Sequence, residues 1–233
     1  MEQTLKITNV LSDPTRFYIY QYVAQGHKDV TVQEIAEEFD IHPNVARLHL
    51  SKLEDVSMLI SDTQKTGKGG RPSRLYRLSE DVIQLHFPYR DYQLLSRITM
   101  ETMLSLGEVG KQALYDTGKK FGVELIEQEM NSGFANGHEL PFEQKINILK
   151  NASITAGFNP ELTSNEDNTA IYFQIYNCPF KEIANDHKES ICGMHTAFLR
   201  GMFESLFPSI ELIEKENMIS GCDSCSYQAL VTK

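Results

Sequence analysis

His-Pro-Asn-Val-Ala-Arg-Leu-His-Leu-Ser-Lys-Leu, residues 42–53, is the stretch on which the reading of the fold turns. Pro43 has no amide hydrogen to lose and a φ suited to the first turn, so it opens a helix that runs to about Glu54. Ala46, Leu50 and Leu53 recur at helical spacing and form one apolar face. Asn44, Val45, Arg47, Leu48 and Ser51 are left on the other face, with His42 at its entry. Asn, Arg and Ser side chains there suit base edges and phosphates in a major groove, which admits one α-helix. Taken alone, the same face serves equally well as an ordinary solvated one.

The flanks decide between the two. On the C-terminal side, 58–61 and 74–78 alternate like two strands joined by Asp-Thr-Gln-Lys-Thr-Gly-Lys-Gly-Gly-Arg-Pro-Ser, 62–73. Its glycines, Lys65, Lys68 and Arg71 describe a cationic hairpin tip, with Arg71 ahead of Pro72 and placed for a minor groove or a phosphate, and Arg74 just behind. On the N-terminal side, 5–11 reads as a short helix. Asp13 then caps a helix opened by Pro14, with Phe17, Ile19, Tyr20 and Val23 at helical spacing. Thr31 caps 32–39, whose Ile35, Ala36 and Phe39 face inward, and Asp40-Ile41-His42 is the turn. Residues 1–82 therefore read as a winged helix-turn-helix domain that binds double-stranded DNA.

Charge supports this reading. The chain carries a net −10, yet 42–78 holds seven basic residues (Arg47, Lys52, Lys65, Lys68, Arg71, Arg74, Arg77) against Glu54, Asp55 and Asp62, a net +4. A basic island on an acidic protein marks a nucleic-acid surface. With 41% hydrophobic and 23% charged residues the composition is that of a globular protein. No run of eighteen apolar residues predicts a membrane span, and the first ten residues lack the pattern of a signal peptide, so a cytoplasmic protein is expected. Neither a phosphate-binding glycine loop nor a neighbouring nucleophile–base pair is visible, and no enzyme is expected.

Residues 83–233 read as a second, mostly helical domain with a small antiparallel sheet, which makes the chain α+β. A long helical stretch, 92–130, is rich in Leu, Met and Ile, with Gly107 and Gly118 as points of breakage. It is either core or the seam of a homodimer, which a reader of two half-sites needs. A helix at 141–156, a strand at 170–176, a helix at 189–207 and a closing strand at 226–231 follow.

All four cysteines, Cys178, Cys192, Cys222 and Cys225, fall in the last 56 residues. Cys178 follows a strand and precedes Pro179, which cannot extend a sheet. Cys192 lies near a helix start, where free amides favour a thiolate. Cys222 and Cys225 form a Cys-x-x-Cys after Gly221. Buried free thiols, two disulfides and a redox pair are the competing readings; a metal or iron–sulfur site is the one this clustering favours.

Three motifs together resemble a known family: 42–53, the wing Gly-Gly-Arg-Pro-Ser-Arg-Leu-Tyr-Arg-Leu (69–78), and Asn-Cys-Pro-Phe through Cys-Gly-Met-His (177–195) with Cys-Ser-Tyr (225–227). The chain resembles the SUF-operon repressor family, within the wider DeoR- and ArsR-like helix-turn-helix group. The resemblance implies a homodimeric repressor that binds operator DNA upstream of cluster-assembly genes while it holds an iron–sulfur cluster (4Fe–4S or 2Fe–2S). By position it carries the cluster ligands onto Cys178, Cys192 and Cys225. Cys222 is an addition to that pattern and the first candidate for a fourth ligand. His195, at helical spacing on an apolar face, reads as a packed core residue and only a substitute for it. A structural zinc on the four cysteines is the alternative. Loss of the cluster is expected to release the closing strand and the Cys-x-x-Cys loop.

Overall fold

A computed structural model describes residues 2–64, 73–132 and 140–231. The chain is α+β and divides into two compact units, residues 1–90 and 91–233. The sequence places the division after Val82; in the structure it falls after Arg90.

The first unit holds α1 (Glu2–Leu11), α2 (Pro14–Gly26), β1 (Val30–Thr31), α3 (Val32–Glu38), α4 (Pro43–Glu54), β2 (Leu59–Gln64) and β3 (Ser73–Leu78). Each middle helix starts at a local signal. Asp13 accepts the Arg16 amide at 3.1 Å and Pro14 opens α2. Thr31 and Glu34 form a reciprocal capping box at α3, with Thr31 N donating to Glu34 Oε2 at 2.6 Å. His42 caps α4, its Nδ1 accepting the Asn44 amide at 3.1 Å. Ile19, Val23, Ile35, Ala46, Leu50, Leu53, Leu59 and Tyr76 close one core. The sheet order is β1-β3-β2, all antiparallel, with Leu59 opposite Leu78 and Val30 opposite Tyr76. A winged helix-turn-helix needs these parts in this order, and all are present.

The second unit holds α5 (Tyr92–Ser105), α6 (Glu108–Ser132), α7 (Phe142–Thr155), β4 (Pro160–Ser164), β5 (Ala170–Ile175), α8 (Lys181–Asp186), α9 (Lys188–Leu206), β6 (Ile210–Glu216), a 3₁₀ turn (Met218–Ser220) and β7 (Cys225–Val231). Its antiparallel sheet runs β4-β5-β7-β6. Phe173 and Tyr227 on the sheet meet Leu199, Phe203 and Leu206 on α9, Leu149 on α7 and Ile126 on α6 in one core.

The two glycines flagged as breakers behave differently. Gly107, at φ +63°, ends α5 and turns the chain into α6. Gly118 lies inside α6 and lets it touch α9: a Cβ there would stand 2.6 Å from the Met194 carbonyl oxygen. Gly122 and Gly201 do the same along the line of contact, at 1.9 Å from the Phe198 oxygen and 2.1 Å from the Lys119 oxygen. No Cβ tolerates such approaches, so the two helices lie backbone against backbone.

The closing strand expected at 226–231 is β7, which lies between β5 and β6, bonded on both sides. Its release would break the pairing with both neighbours and so dismantle the sheet.

A candidate DNA-reading face and a cysteine cluster

The exposed side of α4 carries Val45, at 41% exposure, and Leu48, at 54%. Apolar groups are costly to leave in water on a solvated helix, whereas a thymine methyl gives them a partner in the major groove. Between them lies Arg47, whose Nη1 donates to Asn44 Oδ1 at 3.2 Å, so the two polar side chains are presented as a pair. Ser51 is half-buried one turn on. His49 points inward instead, its Nδ1 3.9 Å from Asp13 Oδ2.

The island's charge is partly spent internally. Lys52 pairs with Asp55 at 3.4 Å, Arg74 with Glu54 at 3.2 Å, and Arg77 with Asp62. Arg74 also lies over the Tyr76 ring, 5.6 Å from its centre. Among the described residues of the island, Arg47 is the cation held by no carboxylate. Lys65, Lys68 and Arg71 lie outside the described residues. A cleft of about 630 Å³ separates the base of the wing from the starts of α3 and α4, lined by Gln33, Arg47, Thr63, Ser73 and Arg74. Gln33 was not among the sequence candidates, because its place beside Arg47 depends on how α3 packs on α4.

In the second unit the thiols come together from three elements. β5 ends at Ile175, which pairs with Cys225 at the start of β7, and Cys178 follows three residues later. Cys192 is in the second turn of α9 and packs, like Phe180 and Ile219, against the small cluster of Met100, Ala184 and Ile191. Cys222 lies in the loop after Gly221, which is left-handed at φ +93°. Burial pushes the Cys178 thiol up to about 11; the Phe180 amide counters this by donating to the sulfur, and Cys225 and Cys192 raise it further by their charge. Burial raises Cys225 as well, opposed by the Met218 amide, which donates to its Sγ at 3.3 Å, with Glu214, Cys192 and Cys222 adding to the rise. Two sulfurs thus accept backbone N–H groups and share one neighbourhood.

His195 stands beside them. It is 3% exposed and lies between the rings of Phe158 and Phe180, at 5.1 and 5.3 Å. Its Nδ1 is 3.8 Å from Cys178 Sγ, and its Nε2 has no hydrogen-bond partner. Burial holds the imidazole neutral, with a pKa lowered to about 4. Among the described residues, no three His, Cys, Asp or Glu side chains stand close enough together to hold one metal ion. All four cysteines are free thiols.

The profile of a helix-turn-helix domain family matches residues 11–61, within the first unit. Together with the fold and the α4 face, this makes the chain a DNA-binding transcriptional regulator of the helix-turn-helix class. No curated protein matches the chain. Among solved structures it is similar to a trafficking protein particle complex subunit 3 from Naegleria fowleri, covalently bound to palmitic acid, at 20% identity over 60% of this chain and 97% of that one, with a TM-score of 0.44. It is also similar to the phenol-responsive sensory domain of the transcription activator PoxR with phenol, at 18% identity over 79% of this chain and 89% of that one, with a TM-score of 0.41. Among the described residues no helix is long and apolar enough to cross a membrane.

Proposed function

We propose that this regulator is a homodimeric repressor of iron–sulfur-cluster assembly genes, whose hold on operator DNA depends on an iron–sulfur cluster bound by its C-terminal cysteines. One observation carries the reading: Cys225 lies on the strand paired with the one that Cys178 follows, and Cys178 reaches His195 on α9, the helix of Cys192, at 3.8 Å, so thiols far apart in sequence come from adjoining elements. The backbone N–H groups of Phe180 and Met218 directed at Cys178 and Cys225 offset part of the burial that raises both thiols. The resemblance to the SUF-operon repressor family supports the same cofactor and the same target genes.

A bound cluster would tie together the segments that carry its thiolates. The chain's own part is to hold Cys225 on an interior strand and Cys178 just past its neighbour, while the loop 217–224 is left to respond. The α4 face, with Asn44, Val45, Arg47, Leu48 and Ser51, reads the operator, with Lys68 and Arg71 of the wing on its phosphates. For the dimer, α5 buries Met100 and leaves Tyr92, Leu94, Leu95 and Ile98 exposed, a face suited to a second copy.

Anaerobic purification with iron, sulfide and zinc analysis tests the cofactor. Iron and sulfide in equal amounts, with operator affinity lost on oxidation, is the expected result. Zinc alone would establish the four-cysteine structural site instead, and neither metal would defeat both.

A further inference from the structure

We propose that the outer face of α5 packs against α5 of a second copy across a two-fold axis, and that this pairing is what keeps the helix folded. The inference rests on the reading of the regulator as a homodimer and assigns the surface that makes it.

The chain itself does little to hold α5. Asp91 caps its start, accepting the Leu94 amide at 2.8 Å, but of its 14 residues Met100 alone is buried. Met100 joins only Ala184 and Ile191 in a small buried cluster. Beside it a cleft of about 180 Å³, lined by Gln93, Arg97, Glu101, Glu182 and Asp186, leaves the inner side of α5 loosely packed on α8. A helix shorter than about 15 residues is marginal in water and draws its stability from burying an apolar face. One methionine is not such a face.

The apolar side chains of α5 lie on the side opposite Met100. Leu94, Leu95, Ile98 and the C-cap Leu106 are there, each more than half exposed. Thr99, Thr102 and Ser105 share that side, and their hydroxyls turn back onto the helix. Thr99 Oγ1 donates to the Leu95 carbonyl at 2.8 Å, Thr102 Oγ1 to that of Ile98 at 2.7 Å, and Ser105 Oγ to that of Thr102 at 2.7 Å. With these donors satisfied, the face asks for no polar partner. It forms an apolar patch on the order of 400 Å² per copy, about half of what each partner of a standard interface buries.

Charge selects the occupant. The two charged residues of α5, Arg97 and Glu101, are on the cleft side, so the outer face has none. The chain as a whole carries −10, and two copies repel wherever their acidic surfaces meet. A two-fold axis presents a patch to itself, so a charge beside the axis would meet its like. Here leucine, isoleucine and threonine methyl groups meet instead. The same pairing brings two α4 helices to a palindromic site.

The test uses the full-length protein as wild type, as the double variant Leu95→Lys with Ile98→Lys, and as Phe121→Lys, which alters an exposed apolar residue of α6. Sedimentation over a dilution series is expected to show a wild-type dimer, weakened at least about 30-fold in the double variant and unchanged in Phe121→Lys. Hydrogen exchange adds a measurement on wild type alone. Amides 96–106 are expected to be protected in the dimer and to lose protection in step with its dissociation, while those of β7 keep theirs. A double variant that dimerises as tightly as wild type, or α5 amides equally protected in dimer and monomer, would overturn the proposal and leave the homodimer reading standing. Wild type that is monomeric at every concentration would bring down both.

Discussion

The two units place their chemistry on opposite sides of their cores. In the first, the residues proposed to read DNA lie on the outer side of α4, and the domain's helices start at caps made by Asp13, Thr31 and His42. In the second, Cys225 and His195 are buried and the other three cysteines half-buried, and α7, α8 and α9 begin without any side-chain cap bond. Their positions come from packing: glycine contacts between α6 and α9, and a core shared by helices and sheet. Local chemistry builds the reader, and long-range packing builds the candidate sensor.

If that contrast is right, the largest effect should come from the helix contact. Gly122→Ala puts a methyl 1.9 Å from the Phe198 carbonyl, which no rotamer relieves, so we expect the second unit to lose about 3 kcal/mol or more. Denaturant unfolding followed by probes in each unit checks it; equal loss in both would erase the distinction. Next, Cys178→Ser should abolish iron retention on reconstitution while circular dichroism and the melting of the first unit stay unchanged. Retention of full metal would remove Cys178 from the site. Arg47→Ala, whose side chain no carboxylate holds, should cost about 1–3 kcal/mol of operator binding, seen as a titration about 5- to 150-fold weaker. Thr31→Ala removes one half of a capping box and should cost the first unit about 1 kcal/mol, with no change in metal content.

The smallest effect is a pH slope. Burial lowers the pKa of His49, with Asp13 opposing and Arg16 adding to the shift. Below the ordinary value of 6.5 the unfolded chain therefore binds a proton that the folded one does not. Stability of the first unit should fall as the pH drops through 6.5 towards the lowered value, and His49→Gln should flatten that slope. Denaturation midpoints at pH 7 and pH 5.5 measure it; an equal slope in the variant would assign it to other groups.

The same contrast explains what could be read from the chain. α2, α3, α4 and the two wing strands were legible because Pro14, Pro43 and Thr31 announce helices and Ala46, Leu50 and Leu53 keep strict spacing. β4, β6 and α8 were not. Along β6, Ile-Glu-Leu-Ile-Glu-Lys-Glu, only Leu212 is buried, so alternation is overwritten by charge. α8 is six residues long and opens without a cap bond. Gly118 looked like a break because a glycine that permits a helix crossing has the same local signature as one that ends a helix. Cysteine clustering pointed to the neighbourhood of the sulfurs. The approach of His195 to Cys178 is a product of two elements meeting and leaves no mark in either.

The interior place of β7 also sets a schedule for biosynthesis. Every pairing partner of β5 on its inner side is supplied by residues 225–230, so that sheet stays open until those residues have left the ribosome. The first unit, complete by residue 90, is free to fold well before then. A nascent chain would thus own a working grip on nucleic acid before it owns the pocket that is proposed to govern it.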